Sequence, residues 1–441
     1  MSHRHGRGDG APARVRWLLL AAVAPFVAAT LAGLGLLWPR GERPPTPPGV
    51  DFPTELVDAT VLAIAPTPCP GAEEAPATAG AQTCRSVVVR ISDGPNEGRE
   101  VTIDPGGLDP NRAVNGGDKV VLSYAPEAPP EHQYQLADYQ RKLPLTVLGV
   151  LFAVVVVALG RWRGVAALGG FVIALGILTS FVLPAILEGA NPLAVSIVGS
   201  STVMLTALYL SHGVNVRTTS AVLGTLVSLA VTALLALLFV ETARLTGFAS
   251  EEAVFVNVSA QQVNLQGLLL GGIIIGSLGV LDDVTVTQAS AVWELHVANP
   301  AYSLGELYRS ALRIGRDHIA STVNTLVLAY AGASLPLLIL FTLADARLPD
   351  VLNGEIVAQE VVRTLVGSIG LVASVPITTG LAALVATRSR PRLAQWPPPN
   401  RSAPGRRPRS GGVSLEKISA PGEAPRSSQE AEFWGPERKR R

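Results

Sequence analysis

The stretch of sequence that decides the fold is GLLLGGIIIGSLGVLDDVTVTQASAVWEL, residues 267–295. It is apolar and rich in glycine up to the adjacent acids Asp282 and Asp283, and more polar beyond them. Its glycines have the small-xxx-small spacing that lets helix backbones approach closely in lipid. The pairs with this spacing are Gly267/Gly271 and Gly272/Gly276, and Gly279 lies one turn further. The pattern predicts a membrane-spanning helix at the centre of a helical bundle.

The acid pair is also where this segment is expected to break. As one helix, residues 265–298 would be about 50 Å long at 1.5 Å per residue, whereas a crossing needs about 20 residues. Carboxylates at a break in a glycine-interrupted helix are how many transporters build ion or substrate sites. Alternatively, the span ends here and Asp282 or Asp283 N-caps an interfacial helix in water. Both interpretations stay open.

The composition around this stretch is that of a membrane protein. Of the 441 residues, 48% are hydrophobic and only 16% are charged, whereas a soluble domain carries roughly 25% charged residues. The mean hydropathy is +0.36, and no lysine occurs between Lys142 and Lys417. A water-soluble fold of this size would need far more charge on its surface, so a soluble enzyme is excluded.

Eight apolar runs each have about the length of a membrane span. They cover residues 17–38, 143–160, 165–187, 193–211, 220–240, 265–281, 319–343 and 365–386. Arginines are concentrated at alternate connectors, so the positive-inside rule places both chain ends in the cytoplasm. The first run follows arginines and is interpreted as a retained membrane anchor. A cleaved signal peptide is the alternative, but the apolar region of a signal peptide is usually only about 7–15 residues long.

The predicted fold class is a mainly α-helical polytopic membrane protein with about eight transmembrane helices and a small extracytoplasmic β domain after the first helix. A basic cytoplasmic N-terminus (1–16) precedes the anchor (17–38) and a Pro-rich linker (39–50). The β domain (51–126), a linker (127–142), a seven-helix membrane domain (143–388) and a basic tail (389–441) follow. The tail has disordered composition; beside membrane spans it is interpreted as topogenic and cytoplasmic rather than as a nucleic-acid-binding segment.

The β domain is predicted from short β-branched or alternating runs separated by turn-forming stretches. The runs cover residues 59–65, 85–92, 99–104 and 119–124. The two cysteines of the chain, Cys69 and Cys84, both fall inside this domain. A disulfide closing a loop of about 15 residues would stabilise a small core by roughly 3 kcal/mol, and it needs an oxidising compartment. Two unpaired thiols are the alternative.

Further polar side chains lie where a pathway could run. Thr285 and Gln288 follow the acid pair, and Thr206 belongs to a polar stripe on one face of the span 193–211. Asn324 lies in the span 319–343, and an amide in lipid needs a partner. With Asp282 and Asp283, these residues form the predicted ion- or substrate-binding set. For the stripe alone, helix packing with hydroxyls bonded to their own backbone is the simpler explanation.

The segment before that span is predicted to be a separate amphipathic helix, residues 303–319, lying on the cytoplasmic face. Ser303 and Glu306 fit a capping box, and its arginines could meet lipid phosphates. Pro336, further on, is expected to kink the following span.

The run GSLGVLDDVTVTQASAVWEL, residues 276–295, resembles the signature of the YibE/F family of bacterial multi-pass membrane proteins. The resemblance extends over roughly residues 143–387, with the anchor and β domain arranged as in longer members. It implies an integral plasma-membrane protein. The family has no settled activity or substrate to carry over.

Catalytic and cofactor motifs are missing from the sequence. It contains no GxxxxGK[ST], HExxH or GxSxG motif, and its six His and two Cys do not cluster as metal ligands. No cofactor is expected, and a membrane-embedded hydrolase is the least favoured hypothesis. The first hypothesis is a secondary transporter or channel for a small ion or solute with an Asp-containing intramembrane site. The second is a non-catalytic sensing or assembly protein of the envelope, whose β domain binds a protein partner.

Overall fold

A computed structural model of the chain describes residues 12–41, 55–68, 83–94, 96–103, 114–130, 132–343 and 347–389. Cys69 and the basic tail beyond Ser389 lie outside these residues, so the disulfide and the tail stay predictions.

A five-stranded antiparallel sheet follows the first helix. Its strands are β1 (Glu55–Pro68), β2 (Thr83–Ile91), β3 (Glu100–Ile103), β4 (Lys119–Tyr124) and β5 (Tyr134–Tyr139), in the order β3-β2-β1-β4-β5. Alternate residues of β1, β2 and β4 point into one buried core, as a pleated strand requires. That core includes Val57, Val61, Val89, Val120 and Leu122. The four predicted strands are confirmed.

The fifth strand corrects the sequence analysis, which assigned residues 127–142 to a linker. β5 pairs with β4 and buries Tyr134. Its sequence, YQLADY, contains no β-branched residue, and the adjacent apolar residues Leu136 and Ala137 interrupt the alternation of apolar and polar residues. It therefore lacks both patterns that predicted the other strands.

The rest of the described chain is helical. The helices are α1 (Ala13–Leu37), α2 (Lys142–Gly160), α3 (Trp162–Ile177), α4 (Leu183–Leu187), α5 (Pro192–His212), α6 (Val216–Thr242), α7 (Glu251–Ser259), α8 (Leu265–Ala298), α9 (Leu304–Ala333), α10 (Leu335–Leu343), α11 (Leu348–Asn353) and α12 (Glu355–Arg388). A π-helical segment, Leu178–Val182, joins α3 to α4.

Seven helical stretches of the described residues are long and apolar enough to cross a membrane, and each overlaps a predicted span. The eighth predicted span, residues 319–343, corresponds to the second part of α9 and to α10, which meet at a bend of 61°. The bend lies at Ser334, just before Pro336. Pro336 lacks the N–H that a continuous helix would need, and the kink predicted there is confirmed.

One end of the bundle is built around Arg217, and we call it the Arg217 end. Arg217, at the start of α6, pairs with Glu294 near the end of α8 at 3.3 Å. His296 of α8 lies 3.3 Å from the carbonyl oxygen of Ser389, just past α12. Val15 of α1 packs in the same buried cluster as residues that begin α6 and end α12. α1 therefore begins, and α12 ends, at this end.

The opposite end is built around Glu355, and we call it the Glu355 end. Glu355, which begins α12, accepts hydrogen bonds from the backbone N–H groups of Thr246 (2.6 Å) and Gly247 (3.0 Å), just past α6. Glu188, past α4, accepts two from Arg40 and Gly41, just past α1. Since α9 begins at the Arg217 end and α12 at the Glu355 end, the chain passes from one end to the other between them.

Three helix boundaries differ from the sequence analysis, and one of them is the start of α12, which begins at Glu355 and not near residue 365. α8 is a single helix of 34 residues and does not break at the acid pair; Asn264, not an aspartate, is its N-cap. Its second half stays straight because Ala289 and Val292 pack against α9 and α12 instead of lying at an interface. α9 likewise continues to Ala333 rather than ending as a separate amphipathic helix near Ile319, although its predicted capping box is present.

Candidate functional site

Asp282 lies in the middle of α8 and is the least satisfied carboxylate of the bundle. Its Oδ1 atom is buried and has no hydrogen-bond partner among the described residues. Asp283, one residue later, is exposed on a different face of the helix. The two acids do not act as helix caps, because the helix continues for four turns beyond them. The cap interpretation is therefore wrong.

The neighbours of the acid pair place it halfway along the bundle. Leu281 and Val284, which flank the pair, share a buried cluster with Leu229 of α6 and with Leu371 and Val375 of α12. No charged residue occurs from 218 to 240 in α6 or from 364 to 387 in α12. The cluster residues lie near the centre of both uncharged stretches. The acids therefore sit at the depth that is furthest from the charged ends of α6 and α12. α9 differs, because Arg313, Arg316 and Asp317 lie between Leu312 and Ile319, which pack on the same cluster.

An apolar cavity of about 280 Å³ opens on the Asp282 side of α8. α3 and the π-helical segment, α5 and α8 line it, and Ser200 is the one polar side chain in its wall. α8 contributes Ile275, Leu278 and Gly279 to the wall of the cavity. Asp282 follows Leu278 by four residues, so it lies one turn further along the same helical stripe.

A second stripe of α8 joins Asp283 to the Arg217 end. Thr287, Ser290 and Glu294 follow Asp283 at intervals of four, three and four residues, which places them on one face. Ser290 accepts hydrogen bonds from Nε (3.0 Å) and Nη2 (2.6 Å) of Arg217. Asp283, Thr287 and Glu294 are exposed. The result is an open polar face that leads from the end of the bundle to its middle.

Thr285 and Gln288 contribute to helix packing. Thr285 is fully buried, and its hydroxyl lies 2.6 Å from the hydroxyl of Thr225 in α6. The side-chain amide of Gln288 donates to the carbonyl oxygen of Ala311 in α9 (2.9 Å) and to the hydroxyl of Thr379 in α12 (2.7 Å). Both side chains are occupied in joining helices.

The structure does not bring Thr206 or Asn324 into a hydrogen bond with Asp282. The Thr206 hydroxyl donates to the carbonyl oxygen of Thr202 in its own helix at 2.7 Å, the arrangement expected of a packing residue. Asn324 is exposed on α9.

The glycines of α8 have unequal surroundings. A side chain at Gly271 would collide with Ser196 of α5, and one at Gly267 would make a tight contact with Pro192 of α5 (3.2 Å), so these two permit close packing. Gly272 and Gly279 face open space, and a side chain at Gly276 would make an ordinary contact with Tyr330. The small-xxx-small pattern thus marks one close helix contact together with an open face.

Sequence analysis missed the Arg217–Ser290–Glu294 group. The signal was the polar repeat at residues 283, 287, 290 and 294, which becomes visible only once α8 is treated as one continuous helix. Among the described residues, no three His, Cys, Asp or Glu side chains are grouped so that they could hold a metal ion.

Comparison with known proteins identifies a family. The family model of the YibE/F-like proteins matches residues 148–388, more than half of the chain. The matched region includes α5, α6, α8 and α12 and therefore the whole candidate site. No curated protein and no solved structure matches the chain.

Proposed function

Because the chain belongs to the YibE/F-like family, whose name specifies no activity, we propose a function from its geometry: the protein moves a small ion or solute across a membrane and binds it at Asp282. The observation that carries the proposal is the buried Oδ1 of Asp282, which no described group satisfies, at mid-depth in the bundle. An unpaired buried carboxylate costs several kcal/mol. A bound cation or proton would remove that cost.

The membrane placement is part of the proposal. The seven long apolar helices, and the bent pair α9–α10 as an eighth span, would cross the plasma membrane. The Arg217 end is rich in arginine and would face the cytoplasm under the positive-inside rule. The arginines at this end are Arg14, Arg16, Arg161, Arg163, Arg217, Arg309 and Arg388, whereas Arg313 and Arg316 of α9 lie further into the bundle, on either side of Gly315, which adjoins Val375 and Gln288. Both chain ends would then be cytoplasmic and the sheet, which precedes α2, extracytoplasmic.

Asp283 and the polar face beyond it would serve as the cytoplasmic approach to the site. A charged side chain at the centre of a bilayer faces a protein interior or a water-filled cavity rather than lipid. The exposed stripe from Glu294 to Asp283 offers water such a route. Asp282 is the next residue, about 100° around the helix, so an ion arriving at Asp283 would pass around α8 from its exposed face to reach Asp282.

Transport fits this site better than catalysis. Hydrolysis by carboxylates uses a pair of groups converging on one bond; here the two acids point to different faces of one helix. We therefore propose a non-enzymatic role.

The test is ion flux in vesicles that contain the purified protein. Wild type, Asp282→Asn, Asp283→Asn and the double variant are compared for proton and common cation flux, with Asp317→Asn as the control because Asp317 is an exposed acid on a different helix, α9. We expect loss of flux in Asp282→Asn, reduced flux in Asp283→Asn, and normal flux in Asp317→Asn. Asp282→Glu keeps the charge and should retain part of the flux.

Equal flux in all variants, or no wild-type flux with any of these ions, would overturn the transport proposal. Folding is checked separately by membrane yield and gel-filtration profile. A variant that fails to insert is replaced by Asp282→Glu for the comparison.

The second candidate function is recognition of an envelope protein by the sheet. It is favoured by hydrogen bonds between β1 and the start of α2. Asp58 of β1 accepts hydrogen bonds from Lys142 (2.6 Å) and Gln140 (3.3 Å). A partner that moves the sheet would thereby act on α2. Cross-linking in whole cells, with and without residues 51–140, tests this function. A cross-linked partner that persists after the deletion would contradict it.

A further inference from the structure

We propose that the apolar cavity beside Asp282 binds the apolar part of a small organic cation, whose charge lies at Asp282. This inference rests on the proposed transport function and names the class of solute. The cavity ends at Leu278 and Gly279, and Asp282 begins the next turn of the same stripe. An apolar wall and one carboxylate thus adjoin along a single helix face.

The size of the cavity favours a small solute. At about 280 Å³ it is just below the usual range of ligand pockets, which is roughly 300–1,000 Å³. Such a volume holds a short alkyl chain or one ring. Ligand pockets of this kind combine mostly apolar walls with a few polar groups that fix orientation.

The charge next to the cavity selects a cation. An apolar wall alone would accept any hydrocarbon, including the acyl chain of a lipid. A phospholipid places a phosphate above its chains, however, and a buried carboxylate would repel that phosphate. An organic ammonium ion gains the attraction of Asp282 and the burial of its alkyl groups together.

Ser200 supplies a second polar contact in the wall. It is only 3% exposed, and its hydroxyl has no hydrogen-bond partner among the described residues. The wall opposite includes the π-helical segment Leu178–Val182, from which Leu178 and Val182 line the cavity. π-Helical turns are rare and frequently occur at functional sites. Helix packing alone requires neither the unpaired hydroxyl of Ser200 nor the π-helical turn.

Equilibrium dialysis with the full-length protein in lipid nanodiscs tests the proposal. The probes are radiolabelled alkyltrimethylammonium ions with chains from ethyl to hexyl, and empty nanodiscs correct for partition into lipid. Affinity should rise about fourfold for each added methylene until the cavity is filled. Hexanesulfonate and 1-hexanol, with the same chain but a negative or no charge, should bind at least tenfold more weakly.

Two glycines of α8 provide a matched pair of variants. Gly279→Leu fills the cavity, whereas Gly272→Leu adds the same side chain two turns away, also into open space, outside the cavity wall. Binding of hexyltrimethylammonium should fall at least tenfold in Gly279→Leu and stay within twofold of wild type in Gly272→Leu. Asp282→Asn should lower affinity for the ammonium ion and leave that for 1-hexanol unchanged.

Several outcomes overturn the inference. They are wild-type binding no greater than in empty nanodiscs, equal loss in the two leucine variants, or equal binding of the three head groups, which would identify an apolar groove filled by lipid. Proton flux without ammonium binding would leave the transport proposal standing and end this one. Ammonium binding without flux of any ion would end the transport proposal and leave the binding site standing.

Discussion

At the scale of single residues, Gln288 links three helices of the bundle. Its amide joins α8 to α9 and α12 through two hydrogen bonds, and it is 3% exposed. Hydrogen bonds between membrane helices contribute about 0.6 kcal/mol each on average. We expect Gln288→Met to lower the free energy of unfolding by about 1 kcal/mol, measured by reversible unfolding in detergent. Thr287→Val, at the exposed neighbour, is the control, and an equal loss there would contradict the assignment.

Asp58 gives a prediction about pH. The hydrogen bond from Lys142 lowers the pKa of the Asp58 carboxyl below its usual value of 3.8. Since the folded-state pKa is the lower one, the stabilisation is fully present above the unfolded-state pKa and is lost as pH falls through the folded-state pKa. Asp58→Asn should therefore cost up to about 1 kcal/mol at neutral pH, and this cost should shrink below about pH 4.

Thermal unfolding of wild type and Asp58→Asn at a series of pH values measures this effect. Glu100→Gln is the control, because Glu100 pairs with Arg90 and both side chains are 54% exposed. A cost that is independent of pH would mean that Asp58 contributes through packing and not through its charge.

The sequence identifies the acid pair but not the roles of its two members. Adjacent residues on a helix point about 100° apart, so Asp282 and Asp283 must differ in surroundings. Which one is buried depends on where α3, α5 and α9 lie, and no local pattern contains that information. Asn324 illustrates the same limit: its polarity suggested a buried partner, and the fold leaves it exposed.

At the scale of elements, hydropathy predicted which segments are helical but did not predict the residues at which several of those helices begin and end. All eight apolar runs correspond to helices, because the length of an apolar run is a local property. α8 exceeds the predicted span because its second half packs on α9 and α12. This contact is tertiary, and a rule based on bilayer thickness does not include it.

The close contacts of α6 and α12 yield an element-scale prediction. A side chain at Gly370 of α12 would collide with Thr232 of α6, whereas Gly279 of α8 faces open space. Overpacking usually costs about 1–3 kcal/mol. We therefore expect Gly370→Ala to lower the unfolding temperature clearly and Gly279→Ala to leave it unchanged or raise it slightly. Scanning fluorimetry of both variants checks this, and a similar loss in the two would refute the packing argument.

At the scale of the whole molecule, the two ends of the bundle make the orientation testable. With Cys69 and Cys84 replaced by Ser, single cysteines are introduced at Ala301, past α8, and at Glu251, which begins α7. A membrane-impermeant thiol reagent added to intact cells should label Glu251→Cys and not Ala301→Cys. Labelling of both after the membrane is opened is the control. The opposite pattern would reverse the proposed orientation.

The arrangement of the central helices also determines when the protein can mature. α6, α8 and α12 pack against one another along polar and glycine contacts, and α12 is the last helix among the residues that the structure describes. During synthesis, Gln288 is therefore made before Thr379 exists to accept its hydrogen bond, and Gly224 before Thr378 exists to pack against it. The central contacts of the bundle are therefore completed only after α12 has been made, and a premature stop before α12 leaves the side-chain amide of Gln288 without its partner in that helix.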